Sequence, residues 1–289
     1  MREGYLKYLF VLPTLFLLFF LTGYPIAYIL FTTFYRVNIY TFEYSFVGLG
    51  NLLFIVSSEA FKTVLENTLY WTTVTTIGAL SLGLISALLL NEEGVRFKGI
   101  FGAMLFLPYA LGYVEAGYTW LWFTNPTFGM LNYVLKDLGL LSKTNVSLLG
   151  NRWSALTIVI IAQIWKHFPF MTLMLRAGLQ SIRKELYEAA EVDGAGIITK
   201  FLNITIPQLK PILVLSTLLM LVWNFNSFTL IWVITQGGPF GQTHIFSTAI
   251  YEKAFISFDI GKASALSDIV FLIVFIISIV YLRVTKYGS

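Results

Sequence analysis

Two amide side chains, Asn224 and Asn226, interrupt an apolar run and are flanked by Trp223, Phe225 and Phe228. Each amide offers donors and an acceptor without charge. That set suits the hydroxyl groups of a sugar, while the neighbouring rings offer apolar faces to the sugar ring. In hydrocarbon, polar side chains mark either a polar path or helix–helix hydrogen bonds, the latter worth about 0.6 kcal/mol each. Being two apart on a helix, Asn224 and Asn226 point in different directions, so one is expected to face the path and the other to brace a neighbouring helix. Gln163 and Lys166 stand three apart on one face of another apolar run and are further candidates to line the path. Glu115, Lys166, His167 and Asp268 are the charged or titratable groups set within apolar runs. Pairing with Glu115 or Asp268 would lower the cost of burying Lys166, and an ion pair is expected here rather than a proton relay.

None of these groups forms a reactive constellation. The chain has no cysteine, which excludes a disulfide framework, a thiol nucleophile and a thiolate metal site. Its two histidines, His167 and His244, cannot hold zinc without several carboxylate partners. There is no Gly-x-x-x-x-Gly-Lys-Ser/Thr phosphate loop, no His-Glu-x-x-His run and no Gly-x-Ser-x-Gly elbow. Neither catalytic residues nor a cofactor or metal bound by this chain are expected.

The elements that must position these groups are membrane spans. Of 289 residues, 57% are hydrophobic and 12% charged, where soluble domains carry about 25% charged residues. A net charge of +4 is too thinly spread to form a nucleic-acid stripe. Six stretches reach the length that crosses a bilayer: 8–35, 67–90, 100–123, 154–175, 211–235 and 265–282. All are expected to be helices, because lipid offers no partner to an open strand edge. Pro13, Pro25 and Pro108 are expected at kinks or helix ends. The first run is too long for a signal-peptide core and reads as a retained span. The fold class is therefore all-α, a polytopic membrane protein of six transmembrane helices forming a single domain over 1–289. With the N-terminus inside, the inner segments hold 11 Lys and Arg in 58 residues and the outer ones 7 in 90. That asymmetry places both termini and segment 176–210 in the cytoplasm.

Within that segment the stretch 181–207 is polar and punctuated by turns. Ser181 can cap a short helix running to Asp193, with Ile182, Leu186 and Ala189 on its apolar face. Gly194 and Gly196 are expected to break it through left-handed backbone. A second short helix, 197–205, is expected to stop ahead of Pro207. The spacing Glu188-Ala189-Ala190, three residues, Gly194, nine residues, Ile204, one residue, Ile206-Pro207 resembles the cytoplasmic loop of permease subunits in binding-protein-dependent ABC importers. The family pattern has Leu where this chain has Ile206. By that resemblance the loop is a coupling helix seated in a cleft of the ATPase, with Glu188, Ala189, Ala190, Gly194, Ile204 and Pro207 as docking residues.

Further resemblances lie outside the loop. Trp122-Phe123-Thr124-Asn125-Pro126-Thr127-Phe128-Gly129, with Asn132 beyond it, is similar to the loop after the third span of maltose-type sugar permeases. Trp223-Asn224-Phe225-Asn226-Ser227-Phe228, Thr235-Gln236-Gly237-Gly238-Pro239, Thr243, Tyr251, Ala254-Phe255 and Gly261-Lys262-Ala263-Ser264-Ala265 follow in that family's order. The resemblance covers nearly the whole chain. It implies a second, homologous permease subunit, two ATPase subunits that carry ATP and Mg, an extracytoplasmic substrate-binding protein, a sugar substrate, a surrounding membrane lipid phase, and a place in the inner membrane of a prokaryote. A secondary transporter of a polar solute is the alternative, but its mark, repeated halves with matching broken helices, is not evident. A membrane enzyme would need the constellations already found missing.

Overall fold

The computed structural model describes residues 3–286 apart from 93 and 95. Most of it is helix, as lipid solvent requires of the spans. In chain order the elements are α1 (Glu3–Leu18), a wide π-type turn (Phe19–Gly23), α2 (Tyr24–Thr32), strands β1 (Tyr35–Asn38) and β2 (Glu43–Phe46), α3 (Gly50–Ser57) and α4 (Glu59–Asn91). Then come α5 (Lys98–Ala110), α6 (Tyr113–Phe123), α7 (Met130–Asp137), α8 (Arg152–Ser181), α9 (Lys184–Val192) and α10 (Ile197–Lys200). A second π-type turn (Phe201–Thr205) leads to α11 (Ile206–Phe225), followed by α12 (Thr229–Thr235), α13 (Phe246–Tyr251), a third such turn (Glu252–Ile256) and α14 (Ile260–Lys286).

Among the described residues, five helical stretches are long and apolar enough to cross a membrane: Phe10–Thr32, Glu59–Asn91, Arg152–Ser181, Ile197–Phe225 and Ile260–Tyr281. The sixth span is the pair α5 and α6, bent by 94° at Leu111 and Gly112. The expected straight helix 100–123 is thus broken, and the break falls just after Pro108. The fifth span also departs from expectation. Its helical stretch begins at Ile197 within loop 181–207, continues through a widened turn past Pro207 and Pro211, and ends at Phe225 instead of Thr235. Pro207 does not stop the helix because the widened turn just ahead of it gives room to a residue that has no N–H and whose ring crowds the carbonyl four back. Pro25 follows the first wide turn in the same manner.

Contacts divide the chain into two compact units. The first comprises residues 1–63 and 249–276. Here small residues let α14 approach the end of α2: Ala263, Ser264 and Ala265 are buried, Thr32 Oγ1 meets Ser264 Oγ at 2.7 Å, and Thr33 Oγ1 donates to Asp268 at 2.6 Å. Asn51 donates to the carbonyls of Thr33 and Tyr35, and a Cβ on Gly261 would come within 2.3 Å of that Tyr35 oxygen. The β1–β2 hairpin, antiparallel from Tyr35 opposite Phe46 to Asn38 opposite Glu43, is an addition to the all-helical expectation.

The second unit holds residues 64–248 and 277–289. Its core gathers Trp71 from α4, Ala116 from α6, Val159, Ile160 and Ala162 from α8, Leu230, Ile231 and Ile234 from α12, and Ile245. Close helix approach depends on missing side chains: a Cβ at Gly83 would lie 2.6 Å from Met171 Cβ and 3.1 Å from its backbone carbon. In the loop after α6, Asn125 Oδ1 accepts from Thr127 N–H at 2.9 Å, forming an Asx turn. Gly129 permits the reversal by close approach, since a Cβ there would meet the Phe123 and Asn125 carbonyls at 2.4 Å.

Candidate functional site

Two places in the second unit bear on function. One is loop 181–207. Ser181 does not cap the loop helix; it is the last residue of α8, and its hydroxyl donates back to Gly178 O. Helix α9 starts at Lys184 behind Arg183, which supplies no side-chain cap. Its end is a Schellman closure: Gly194 N–H reaches Glu191 O at 3.0 Å and Ala195 N–H reaches Ala190 O at 2.8 Å. Gly194 takes φ +76° in this closure, which explains why a glycine follows Glu188-Ala189-Ala190 at this distance. Gly196, in contrast, has φ −70° and stands ahead of α10 in ordinary extended backbone.

The loop is anchored on one side and open on the other. Ile182, Tyr187 and Ile204 pack with Leu175, Leu179 and Leu209, while Tyr187 Oη and Thr205 Oγ1 are 2.9 Å apart. Lys200 pairs with Glu191 at 2.6 Å and joins the two short helices. Glu188, Ala189, Gly194 and Pro207 are exposed, Ala190 and Ile204 half-buried. Beside them Val192, Ile197 and Ile198 remain 88%, 83% and 75% exposed. Three apolar side chains this bare on a polar loop mark a surface that a protein partner or the lipid boundary covers.

The other place is a cavity of about 290 Å³ between the α5–α6 bend, α8 and the break after α11. Tyr109, Tyr113, His167, Trp223, Asn226, Ser227, Phe228 and Thr229 line it. Of the residues singled out from sequence, Trp223, Asn226 and Phe228 reach this wall, whereas Asn224, Gln163 and Lys166 lie behind it. Helix α11 ends at Phe225, and Asn226 turns outward with its amide donating to Val222 O at 2.9 Å. Asn224 is fully buried: Gln163 Nε2 donates to its Oδ1 at 3.1 Å, its own Nδ2 donates to Thr76 Oγ1 at 3.1 Å, and Trp71 Nε1 donates to its carbonyl at 3.2 Å. These bonds hold α4, α8 and α11 together.

Lys166 departs from the expected ion pair. Among the described residues it forms none with a carboxylate; Glu115 is exposed in the first turn of α6, and Asp268 accepts from Thr33. Its ammonium instead donates to Leu111 O, to Tyr109 O at 3.4 Å and to Pro108 O at 3.5 Å, the carbonyls where α5 ends. Those are groups an interrupted helix leaves unpaired, at the end where its dipole favours a cation. The Tyr113 ring centroid lies 4.6 Å from Nζ. Lys166 therefore closes the bend that carries Tyr109 and Tyr113 onto the cavity wall. Sequence reading missed both tyrosines, His167 as a lining residue, Ser227 and Thr229. The only available signal was Pro108 beside a Leu-Gly pair, which marks a break without saying what turns toward it.

Comparisons with known proteins agree with this architecture. The profile of the family described as binding-protein-dependent transport system inner membrane component matches residues 79–286. The trehalose/maltose transport system permease protein MalF of Thermococcus litoralis is 35% identical over 286 residues, 99% of this chain and 95% of that protein. The sn-glycerol-3-phosphate transport system permease protein UgpA of Agrobacterium fabrum is 32% identical over 93% of this chain and 90% of its own length. In structure, one chain of a bacterial ABC transporter involved in the import of the acidic polysaccharide alginate superposes with a TM-score of 0.86 at 22% identity, covering 99% of this chain and 96% of that one. The profile match and these relatives place the chain in the inner-membrane permease family of binding-protein-dependent ABC importers.

Proposed function

We propose that this chain is the transmembrane subunit of an ATP-driven sugar importer, forming half of the translocation path and docking one ATPase subunit through loop 181–207. The observation that carries this reading is the bare apolar cluster Val192, Ile197 and Ile198, held beside the Schellman-closed helix α9. A surface of this kind needs a cleft to enter. ATP and Mg belong to the ATPase pair, a binding protein delivers the sugar from outside, and both termini lie in the cytoplasm. The cavity beside Asn226 contributes one wall of the sugar path. Aromatic faces there can cover the apolar face of a sugar ring, and Asn226 and Thr229 can exchange hydrogen bonds with its hydroxyls.

One chain presents a single coupling knob and one wall, so a second, homologous permease supplies the facing half and a second knob. Names of relatives support a sugar or sugar derivative as cargo, including trehalose, maltose and glycerol phosphate in those proteins. The test is uptake into proteoliposomes containing this permease, its ATPase and its binding protein, with and without the candidate partner permease. ATP-dependent sugar uptake only in the complete set is the expected result. Equal uptake without a second permease would overturn the heterodimer, and uptake driven by an ion gradient without ATP would make the chain a secondary transporter.

A further inference from the structure

We infer that the Tyr113–His167 pair makes the cavity selective for uncharged, hydroxyl-bearing sugars over phosphorylated, sulfonated or carboxylated derivatives. This rests on the reading of the cavity as part of the sugar path. His167 is 1% exposed, and its Nδ1 lies 3.0 Å from the backbone carbonyl of Gln163. A carbonyl can only accept, so Nδ1 carries the proton. In the uncharged ring Nε2 is then an acceptor. Tyr113 Oη is 3.0 Å from Nε2 and must donate its one proton there. Tyr113 itself is 42% exposed and lines the cavity, so its oxygen meets a ligand with lone pairs only. A sugar hydroxyl can donate to that oxygen, whereas a phosphate, sulfonate or carboxylate oxygen has no proton to give and is repelled by it.

The rest of the wall does not reverse this preference. All eight lining residues are uncharged when His167 is neutral. The cation behind them, Lys166, is 3% exposed and has three carbonyls, those of Leu111, Tyr109 and Pro108, for its three protons. The Tyr113 ring stands beside it. An anion entering the cavity would lose water and reach no charged donor directly, because the ammonium of Lys166 is buried behind the wall with its protons given to carbonyls.

The relatives make this a specificity question that family membership leaves open, because one is named for trehalose and maltose and another for glycerol 3-phosphate. The assembled transporter in nanodiscs, with partner permease and ATPases but without the binding protein, isolates the contribution of the path. Equilibrium binding is measured for matched pairs: maltose against maltobionate, trehalose against trehalose 6-phosphate, glycerol against glycerol 3-phosphate. The expected result is at least about tenfold tighter binding of the neutral member of whichever pair binds, a factor of one well-placed hydrogen bond or more. His167→Phe, which frees the Tyr113 proton to donate outward, should bring that ratio toward one. Tyr113→Phe should weaken the neutral ligand by roughly tenfold at most. Assembly of each variant is followed by gel filtration, and the wild-type ratio stands as a readout even where a variant does not assemble. Equal or tighter binding of the anionic member overturns the inference while leaving the importer reading intact. If no member of the panel binds although ATP-dependent uptake proceeds, the cavity is not on the sugar path and the inference falls with it.

Discussion

The coupling loop and the cavity floor differ in how far apart in the chain their decisive contacts lie. In the loop, Gly194 N–H meets Glu191 and Ala195 N–H meets Ala190, three and five residues away. In the floor, Gln163 meets Asn224 across 61 residues and Asn224 meets Thr76 across 148. A local closure leaves its trace as a spacing of residue types, since Schellman geometry dictates where the glycine stands. A long-range network leaves only isolated polar letters in apolar runs, and those letters do not name their partners. The two regions should therefore fail differently when broken. Loop changes should act on docking and leave the membrane bundle whole, whereas floor changes should act on the bundle first.

The largest effect is expected from Lys166→Met. Three carbonyls at the end of α5 lose their donor, and each buried acceptor left unsatisfied costs about 1–3 kcal/mol. The variant should show a lowered unfolding midpoint in detergent and lose uptake, with Lys166→Arg restoring part of both. Normal thermal stability of the Met variant would show that Lys166 does not close the bend, and would put its charge back among candidates for substrate contact.

A smaller effect, confined to the other region, is expected from Gly194→Val. No atom crowds a Cβ there, so the penalty is purely conformational, about 1–2 kcal/mol for a side chain forced into left-handed backbone, increased by β-branching. The permease should insert and fold as wild type while ATPase docking, read by copurification, weakens by a factor of about 5–30. Unchanged docking and uptake would break the link between this closure and the ATPase.

The asparagine pair provides the finest cut, because two residues that read alike in sequence sit on opposite sides of the distinction. Asn224→Leu strands Gln163 and Thr76 and should lower stability by about 1–3 kcal/mol. Asn226→Leu leaves its neighbours satisfied and should leave assembly intact, while sugar-stimulated ATP hydrolysis falls by about tenfold or less, the worth of one hydrogen bond. Thermal unfolding and ATPase assays on both variants check this, and identical behaviour of the two would erase the contrast between floor and wall.

What the sequence determined by itself follows from local physics. Apolar runs of membrane length specified helical spans, and the small residues at 261–265 specified a close helix approach that α14 makes. The glycine four residues after Ala190 specified where α9 ends. Tertiary structure decided the rest. Pro207 and Pro211 were poor guides to where the fifth span begins, because a widened turn upstream absorbs the strain and the helix starts ten residues before Pro207, at Ile197. Lys166 could not be matched to its partners from sequence, since they are backbone carbonyls exposed by a break in another helix, and every residue type carries a carbonyl. Nothing in the sequence sets Tyr109 and Tyr113 apart from the other aromatics of the third span; a 94° bend brings them against His167 and Phe170 of α8. Polar groups in an apolar solvent must find partners, but which partners they find depends on helices that meet only after the chain has folded.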